Sequence, residues 1–356
     1  GFDKPPMMRL LLLPPLLLGR DPRLTSGWIA LLNVAAVAGT FLLGRRFYSL
    51  RVATVAALLY AANPWAVVFS RKIFTADVLA PCLVLALYAL HAAVAEGATW
   101  GWPVSLLALA VALNTTFSPL PLLGVWLVLL VLGRRSVRPW PLLTAAGAVV
   151  VLFLPYLVSQ AGAIRGGDLL TSMLSLVGGK ARAALAFPHQ ALRFALDLHA
   201  GSGLGALAGA AFAAFAPAHS PLRYLEWLPA ALSVAAVPAL ALLWGRRRTQ
   251  PAAGRYPVLL LWLLLPLAAV WALGKGGQIH YLVPLFPAGF LAMAAAADAG
   301  LHWLAGRAPR SLSRAASAVA GAMLVAVLAW QAYTVLSLYG LVSAHDTSGG
   351  YGVPVR

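Results

Sequence analysis

The chain has 356 residues, of which 62% are hydrophobic and only 10% are charged. A soluble globular domain carries roughly 25% charged residues, so this composition excludes a soluble protein and indicates a multi-pass membrane protein. The net charge of +17 would suggest nucleic-acid binding in a soluble protein. In a membrane protein, basic residues in short loops are better explained as topology signals, and we expect no nucleic-acid partner. The single cysteine, Cys82, excludes an intrachain disulfide framework.

Residues 1–24 are predicted to form a juxtamembrane segment on the outer face. Asp3-Lys4-Pro5-Pro6 places an acid and a base directly before an apolar run that is too short to span a membrane. Because each proline fixes its own φ and disfavours helix in the preceding residue, we expect Asp3 and Lys4 on extended backbone. A lysine there suits an anionic headgroup; the alternative is a lysine that only extends to the interface. Since no initiator Met or first span precedes Gly1, we also expect that the sequence is incomplete at its N-terminus.

The apolar runs predict an all-α, polytopic protein with about ten transmembrane helices, because a helix needs roughly 20 mostly apolar residues to cross a bilayer. Neither a repeat nor a low-complexity linker divides the sequence, so residues 1–356 are interpreted as a single membrane domain. The predicted spans are 25–44, 52–69, 76–95, 102–115, 118–133, 140–158, 225–244, 257–274, 281–304 and 315–339.

Four short basic loops predict the orientation of the helices. In the ten-span arrangement all four fall on one side of the membrane, which the positive-inside rule makes the cytoplasmic side. The outer side then receives residues 1–24, the loop 159–224 and the tail 343–356. The loop is expected to carry amphipathic helices on the membrane surface, with basic residues that either bind an anionic group or anchor the loop at the interface. The four clusters are Arg45, Arg46 and Arg51; Arg134, Arg135 and Arg138; Arg246, Arg247, Arg248 and Arg255; and Arg307, Arg310 and Arg314.

The second informative stretch runs from Ser70 to Asp77, at the outer end of one predicted span and the start of the next. Asp77 is one of few acids near the hydrocarbon, where an ionisable residue is costly without a partner. Arg71 and Lys72 are the nearby partners in sequence. We interpret Asp77 as a carboxylate that orients a sugar or a basic group; the alternative is an ion pair that only fixes a helix hairpin.

The third stretch, Lys275-Gly276-Gly277-Gln278-Ile279-His280-Tyr281, leads into Leu282-Val283-Pro284-Leu285-Phe286-Pro287. Its glycines allow the loop conformational freedom, and His280 and Tyr281 open the next span at the outer interface. Taken alone, this pattern would be explained by an interfacial tyrosine with a neighbouring histidine.

Together these three stretches resemble the polyprenyl-phosphate-sugar-dependent glycosyltransferases. These enzymes are bacterial relatives of the protein O-mannosyltransferases and of the lipid A aminoarabinose transferase. Asp3-Lys4-Pro5 is similar to their (Asp/Glu)-Lys-Pro signature, Ser70-Arg71 followed by Asp77 to a Ser-Arg and Asp pair, and His280-Tyr281-Leu282 to a late (His/Arg)-Tyr-Leu motif. The resemblance implies a GT-C fold in a bacterial inner membrane, with the active site facing the periplasm.

The resemblance also implies the chemistry, which is transfer of a sugar from a polyprenyl-phosphate carrier to a protein, lipid or glycan acceptor. A carboxylate must take the acceptor's proton, and cations must neutralise the departing phosphate. The family's catalytic Asp lies upstream of the Lys-Pro motif, where this sequence has no residues. If the sequence is complete, Asp3 or Asp77 would have to replace it; we favour the alternative that the sequence is truncated and that the catalytic Asp belongs to the missing part. Donor binding is expected from Lys4, Arg71, Lys72, Lys275, His280 and Tyr281. We expect no organic cofactor, and the sequence leaves the need for a divalent cation open.

Two other classes of protein fit part of the pattern. A transporter or flippase for a lipid or lipid-linked sugar would also be polytopic, basic and interrupted by prolines. It would favour paired half-helices in matching positions of two repeats, and the sequence shows no such symmetry. A non-catalytic membrane scaffold would leave the three motif stretches unexplained.

Overall fold

Apolar sequence in a hydrocarbon environment must satisfy its backbone hydrogen bonds internally, which favours helices. The computed structural model describes residues 6–19, 21–133, 137–159, 188–247, 254–272, 279–345 and 347. Within these ranges the regular structure is helical and contains no β-strand. The predicted all-α membrane fold is confirmed.

The first half of the chain forms short interfacial helices followed by antiparallel apolar helices. Pro22 occupies the first turn of the third helix, and the Asp21 carboxylate caps it by accepting a hydrogen bond from the Arg23 amide at 2.8 Å. The helices are α1 (Met7–Leu11), α2 (Leu13–Leu18), α3 (Pro22–Phe47), α4 (Leu50–Ala62), α5 (Pro64–Phe69), α6 (Ala80–Ala95), α7 (Gly101–Leu113), α8 (Leu120–Leu132) and α9 (Pro139–Ser159).

The second half begins with one amphipathic helix and ends with four long apolar helices. Three 3₁₀ segments, Leu204–Ala214, Pro221–Glu226 and Ile279–Leu285, connect parts of it. The α-helices are α10 (Pro188–Ala200), α11 (Ala216–His219), α12 (Trp227–Arg247), α13 (Arg255–Ala272), α14 (Phe286–Ala305) and α15 (Arg310–Ala344).

Each of the ten predicted spans corresponds to one or two apolar helices among the described residues. Six stretches are long and apolar enough to cross a membrane: Pro22–Phe47, Pro139–Ser159, Pro221–Arg246, Arg255–Ala272, Ile279–Ala305 and Arg310–Ala344. The helices α4, α6, α7 and α8 are apolar but shorter than 18 residues.

Two of the predicted spans are interrupted at the same end of the bundle. The span predicted over 52–69 breaks at Asn63, where Pro64 begins a new helix. The span predicted over 76–95 starts as helix only at Ala80, because residues 70–79 form a sequence of turns. The irregular backbone thus forms a surface between α5 and α6.

Helix α14 lies at the centre of the fold and contacts α3, α4, α6, α10, α12, α13 and α15. Its first eleven residues, from Phe286 to Ala296, are all buried. The rings of Phe286 and Phe290 stack on Tyr60 of α4, with centroids 5.7 and 5.1 Å away. This aromatic stack fills the centre of the bundle below the turns at residues 70–79.

The alternation of the helices separates two ends of the molecule. The first end carries the start of α3, the turns after α5, the 3₁₀ segment before α14 and the last turns of α15. The second end carries the described arginines of the four basic clusters, and there Arg46 pairs with Glu96 at 2.6 Å. Because α3 has 26 residues at 1.5 Å each, the two ends are about 39 Å apart.

Candidate active site

A cavity of about 790 Å³ opens at the first end of the bundle. Five separate parts of the chain line it: the start of α3, the stretch from α5 into the following turns, the 3₁₀ segment Leu204–Ala214, the 3₁₀ segment before α14, and the end of α15. Its polar and basic lining residues are Arg23, Ser26, Arg71, Lys72, His280 and Tyr339, and its apolar wall includes Trp65, Phe69 and Phe74.

Arg71 is held in the cavity wall by two neighbouring helices. The hydroxyl of Ser26 on α3 donates a 2.7 Å hydrogen bond to the Arg71 carbonyl oxygen. The guanidinium lies over the ring of Tyr339 on α15, with its central carbon 4.8 Å from the ring centroid. Stacking uses the flat face of a guanidinium and leaves its in-plane N–H groups for an anion. The position of Arg71 therefore suits a phosphate ligand.

Lys72 lines the cavity, whereas Asp77 is buried behind its wall. The Asp77 side chain is only 1% exposed, and its carboxylate oxygens accept no hydrogen bond of standard geometry from the described residues. Burial raises the pKa of Asp77 to about 8, while Lys72 and the Phe74 backbone amide oppose that rise. Burial likewise lowers the pKa of Lys72, and Asp77 counteracts it. The two side chains thus form an electrostatically coupled pair of which only Lys72 reaches the cavity.

The backbone around Asp77 is fixed by α3. The Asn33 side chain donates to the Asp77 carbonyl oxygen at 2.9 Å and to the Ile29 carbonyl oxygen in its own helix at 2.9 Å. Residues 70–79 are therefore tied to α3 at both Arg71 and Asp77. These hydrogen bonds from α3 hold the turns in one position in the cavity wall.

His280 meets these turns through Phe74. Their rings make an edge-to-face contact with centroids 5.2 Å apart. Trp262 of α13 donates a 2.9 Å hydrogen bond to the Pro284 carbonyl oxygen and so anchors the 3₁₀ segment that carries His280. Tyr281 stacks beside His280 at 4.4 Å but does not line the cavity.

The apolar wall of the cavity is supported by α10. Trp65 donates its indole N–H to the Ser202 carbonyl oxygen at 2.7 Å, just beyond the C-terminus of α10. Gly201, at φ 75°, packs so closely on the Pro64 ring that a Cβ atom would clash with it. This close approach places the end of α10 directly against the start of α5.

The structure brings together three of the residues predicted for donor binding, Arg71, Lys72 and His280. The predicted residues Asp3, Lys4 and Lys275 lie outside the described residues. Among the described residues, no carboxylate lines the cavity, and no three His, Cys, Asp or Glu side chains are grouped to hold a metal ion. The described lining is therefore cationic and aromatic.

Sequence reasoning missed Arg23, Ser26 and Tyr339. Arg23 carried a usable signal, since Asp-Pro-Arg before an apolar run caps a helix and places an arginine at the predicted outer end. Ser26 and Tyr339 carried none, because an interfacial serine or tyrosine is common in membrane helices. Only tertiary contact shows that both hold Arg71.

Residues 3–158 match the model of a family described as Dolichyl-phosphate-mannose-protein mannosyltransferase. The match covers the Asp-Lys-Pro motif and the stretch from Ser70 to Asp77. It confirms the resemblance of this part of the chain to glycosyltransferases of this type. A search of curated proteins found no match.

Two similar solved structures are those of ArnT from Cupriavidus metallidurans. The apo structure is 17% identical with a TM-score of 0.48, and the alignment covers 96% of this chain and 65% of that one. The structure bound to undecaprenyl phosphate is 16% identical with a TM-score of 0.49, covering 96% and 66%. The chain thus spans slightly less than two thirds of the length of these proteins.

Proposed function

We propose that this chain belongs to a membrane glycosyltransferase that takes a sugar from a polyprenyl-phosphate carrier at the periplasmic face of a bacterial inner membrane. The observation that supports this most is the convergence of Arg23, Arg71, Lys72 and His280 from three separate chain segments on one cavity. The match of residues 3–158 to the mannosyltransferase family supports it independently.

The cavity has the size and lining that such a donor requires. Ligand cavities for small molecules typically measure roughly 300–1,000 Å³, and this cavity measures about 790 Å³. Its cations suit a phosphate, while Trp65, Phe69 and Phe74 offer aromatic surface to a sugar ring or a prenyl unit. An open side toward the bilayer would let the polyprenyl tail remain among the lipids.

The proposed chemistry assigns charge neutralisation to the described residues. As the sugar leaves, negative charge grows on the carrier phosphate, and Arg23, Arg71 and Lys72 stabilise it through charge-assisted hydrogen bonds. His280 donates a further hydrogen bond to a phosphate or sugar oxygen. Asp77 acts through Lys72 as a positioning residue, because its carboxylate does not line the cavity. Asp3 stays a prediction for the base that takes the acceptor's proton.

Packing inside the bundle favours transfer over transport of a lipid-linked sugar. A transporter needs a route between the two ends of the bundle. Below the cavity, Phe69 contacts Phe286 with ring centroids 6.3 Å apart, and Phe286 and Phe290 stack on Tyr60. These rings close the cavity toward the centre of the fold.

The test is a transfer assay on membranes that contain the full-length protein, with a panel of radiolabelled polyprenyl-phosphate sugars. We expect the Arg71→Gln variant to lower transfer by about 10- to 100-fold, the range for losing one hydrogen bond to a charged group. The Arg138→Gln variant is the matched control, because it removes an exposed arginine at the other end of the bundle.

Equal transfer by the wild type and the Arg71→Gln variant would contradict the proposed site. Movement of an intact labelled donor across sealed vesicles, without formation of a glycosylated product, would instead support the transporter. The two readouts use the same donor, so they can be compared directly in one preparation.

A further inference from the structure

A second polar pocket lies at the end of the bundle opposite the candidate active site. Its volume is about 460 Å³, and its polar lining consists of Tyr48, Ser49, Arg246, Arg255, Tyr256, Asp298 and His302. These residues come from the loop between α3 and α4, the end of α12, the start of α13 and the second half of α14. The pocket is about 39 Å from the candidate active site along α3, so it is not a subsite of it.

This pocket lies next to an apolar groove, because Asp298 lines both. The groove has a volume of about 1080 Å³ and runs between α4, α12, α14 and α15. Apart from a few polar residues at its end, it is lined by Ala, Leu, Val, Met and Pro side chains. It therefore offers a long hydrocarbon-like surface that begins at a polar pocket, which is the shape of a phospholipid.

The charged residues where the pocket meets the groove indicate the charge of the headgroup that binds there. Arg246 and Arg255 line the pocket, and Arg51 lines the adjoining end of the groove, whereas Asp298 is the one acid among the described residues of both linings. Three permanent positive charges around one carboxylate favour an occupant with a net negative charge.

Asp298 can accept a hydrogen bond from that occupant. The Nδ1 atom of His302 is hydrogen-bonded to the Asp298 backbone oxygen at 2.8 Å. The same atom lies 3.5 Å from Oδ1 of the Asp298 carboxyl group. Oδ1 is itself buried and accepts no hydrogen bond from the described residues, whereas the side chain as a whole keeps 18% of its surface accessible, so its other atoms face the pocket. A headgroup that carries a hydroxyl donor beside its phosphate could place the phosphate against the arginines and donate the hydroxyl to Asp298.

We propose that this pocket and groove bind an anionic glycerophospholipid with a hydroxylated headgroup, phosphatidylglycerol, from the leaflet at the arginine-rich end of the bundle. The phosphodiester lies against the arginines, a headgroup hydroxyl donates to Asp298, and one acyl chain fills the groove. Basic pockets between transmembrane helices are suited to anionic lipid headgroups. Phosphatidylcholine has the same phosphate but lacks both a net negative charge and a hydrogen-bond donor in its headgroup. Phosphatidylethanolamine has a headgroup donor but no net negative charge.

The experiment measures the shift in melting temperature of the purified full-length protein in detergent as each of these three lipids is titrated. Binding to the folded state alone raises the melting temperature in proportion to occupancy. We expect phosphatidylglycerol to bind wild type at least about fivefold more tightly than phosphatidylcholine. Stronger stabilisation by phosphatidylethanolamine, or equal stabilisation by all three lipids, would overturn the proposal.

Two pairs of variants localise the site. Arg246→Gln, an exposed residue of the pocket, should weaken phosphatidylglycerol binding at least threefold, whereas Arg138→Gln, an exposed arginine outside it, should not. Gly321→Phe should also weaken phosphatidylglycerol binding at least threefold. A side chain at Gly321 meets no atom within 4 Å, so the ring would extend into the groove and occupy the space of the acyl chain. Gly147→Phe is its control, as Gly147 is also uncrowded but lines neither the pocket nor the groove.

Equal loss of binding in a variant and its control would show a non-specific effect of charge or bulk, and would contradict the site. A normal lipid preference in both Arg246→Gln and Gly321→Phe would contradict it as well. Both outcomes are independent of glycosyltransferase activity, because the measurement uses lipid binding alone.

Discussion

At the scale of single residues, the site depends on a buried carboxylate beside a half-buried lysine. A carboxylate that is almost fully shielded from water is disfavoured in its charged form, and one neighbouring ammonium compensates only in part. The raised pKa of Asp77, about 8, expresses that balance. Burial thus disfavours the charged form of both side chains, and each partly restores the charge of the other.

This balance predicts how pH acts on stability. An unfolded Asp titrates near pH ~3.9, so between about pH 4 and pH 8 the folded chain holds a proton on Asp77 that the unfolded chain has released. The free energy of unfolding contributed by Asp77 therefore falls as pH rises through that window. The melting temperature of the Asp77→Asn variant minus that of the wild type should therefore increase by several degrees as the pH rises from 4 to 8.

The control for this experiment is Ser26→Ala, which releases the same turns from α3 without removing a titratable group. Its difference from the wild type should stay nearly constant over the same pH range. A constant difference for Asp77→Asn as well would contradict the raised pKa.

Part of the site could be predicted at this scale. Arg71, Lys72 and His280 were predicted because their stretches resemble motifs of one glycosyltransferase family, and Arg71 and Lys72 also because they lie close to Asp77 in the sequence. The burial of Asp77 behind the wall could not be predicted, since it depends on Asn33 holding the turns against α3. That contact joins residues 44 positions apart.

At the scale of elements, Asn63 determines how α4, α5 and α10 meet. It is fully buried, and its side-chain oxygen accepts from the Ala66 amide at 3.0 Å, which caps α5. Its side-chain nitrogen donates to the Leu198 and His199 carbonyl oxygens at 3.0 and 3.1 Å, which caps the end of α10. The Asn63 side-chain amide thus caps both the start of α5 and the end of α10.

Asn63 therefore predicts an unusual order among its substitutions. Asp is normally as good as Asn at a helix N-cap, but here it would lose the donor and place a negative charge beside the carbonyl end of α10. We expect Asn63→Asp to lower stability by at least as much as Asn63→Ala, which should cost about 2–4 kcal/mol from several lost buried hydrogen bonds. Thermal unfolding in detergent measures both.

The control is Ser49, whose side chain caps α4 by accepting from the Val52 amide at 3.1 Å and does not contact a second helix end. At Ser49, substitution by Asp should be close to neutral and substitution by Ala should cost about 1 kcal/mol. The prediction for Asn63 is wrong if Asn63→Asp is as stable as the wild type.

The elements themselves were largely predictable, because long apolar runs bounded by Arg or Pro leave few alternatives to membrane helices. The predicted span 52–69 ran through Asn63, although Asn63-Pro64 carries a helix-start signal, a capping side chain followed by proline in the first turn. The apolar residues on both sides concealed that signal, and the cap geometry shows the break. The amphipathic helix predicted in the loop 159–224 is present as α10, yet its apolar residues Ala191, Ala195 and Leu198 pack against the bundle rather than on a lipid surface.

At the scale of the whole molecule, the fold separates two kinds of site. Cations with aromatic rings line the cavity at the first end, and an arginine-lined pocket beside an apolar groove lies at the second. Between them the buried half of α14 and the ring of Tyr60 fill the core. This separation allows a donor site on one side of the membrane and a structural lipid on the other.

The proposed orientation can be tested on intact cells with single cysteines, after Cys82 is replaced by Ala. Ile73 is 46% exposed and lines the cavity, and Arg138 is exposed at the opposite end. If the cavity faces the periplasm, a maleimide that cannot cross the inner membrane will label the Ile73→Cys variant in intact cells. It will label the Arg138→Cys variant only after the cells are lysed. The reverse pattern would place the cavity in the cytoplasm, where the proposed transfer from a periplasmic donor could not occur.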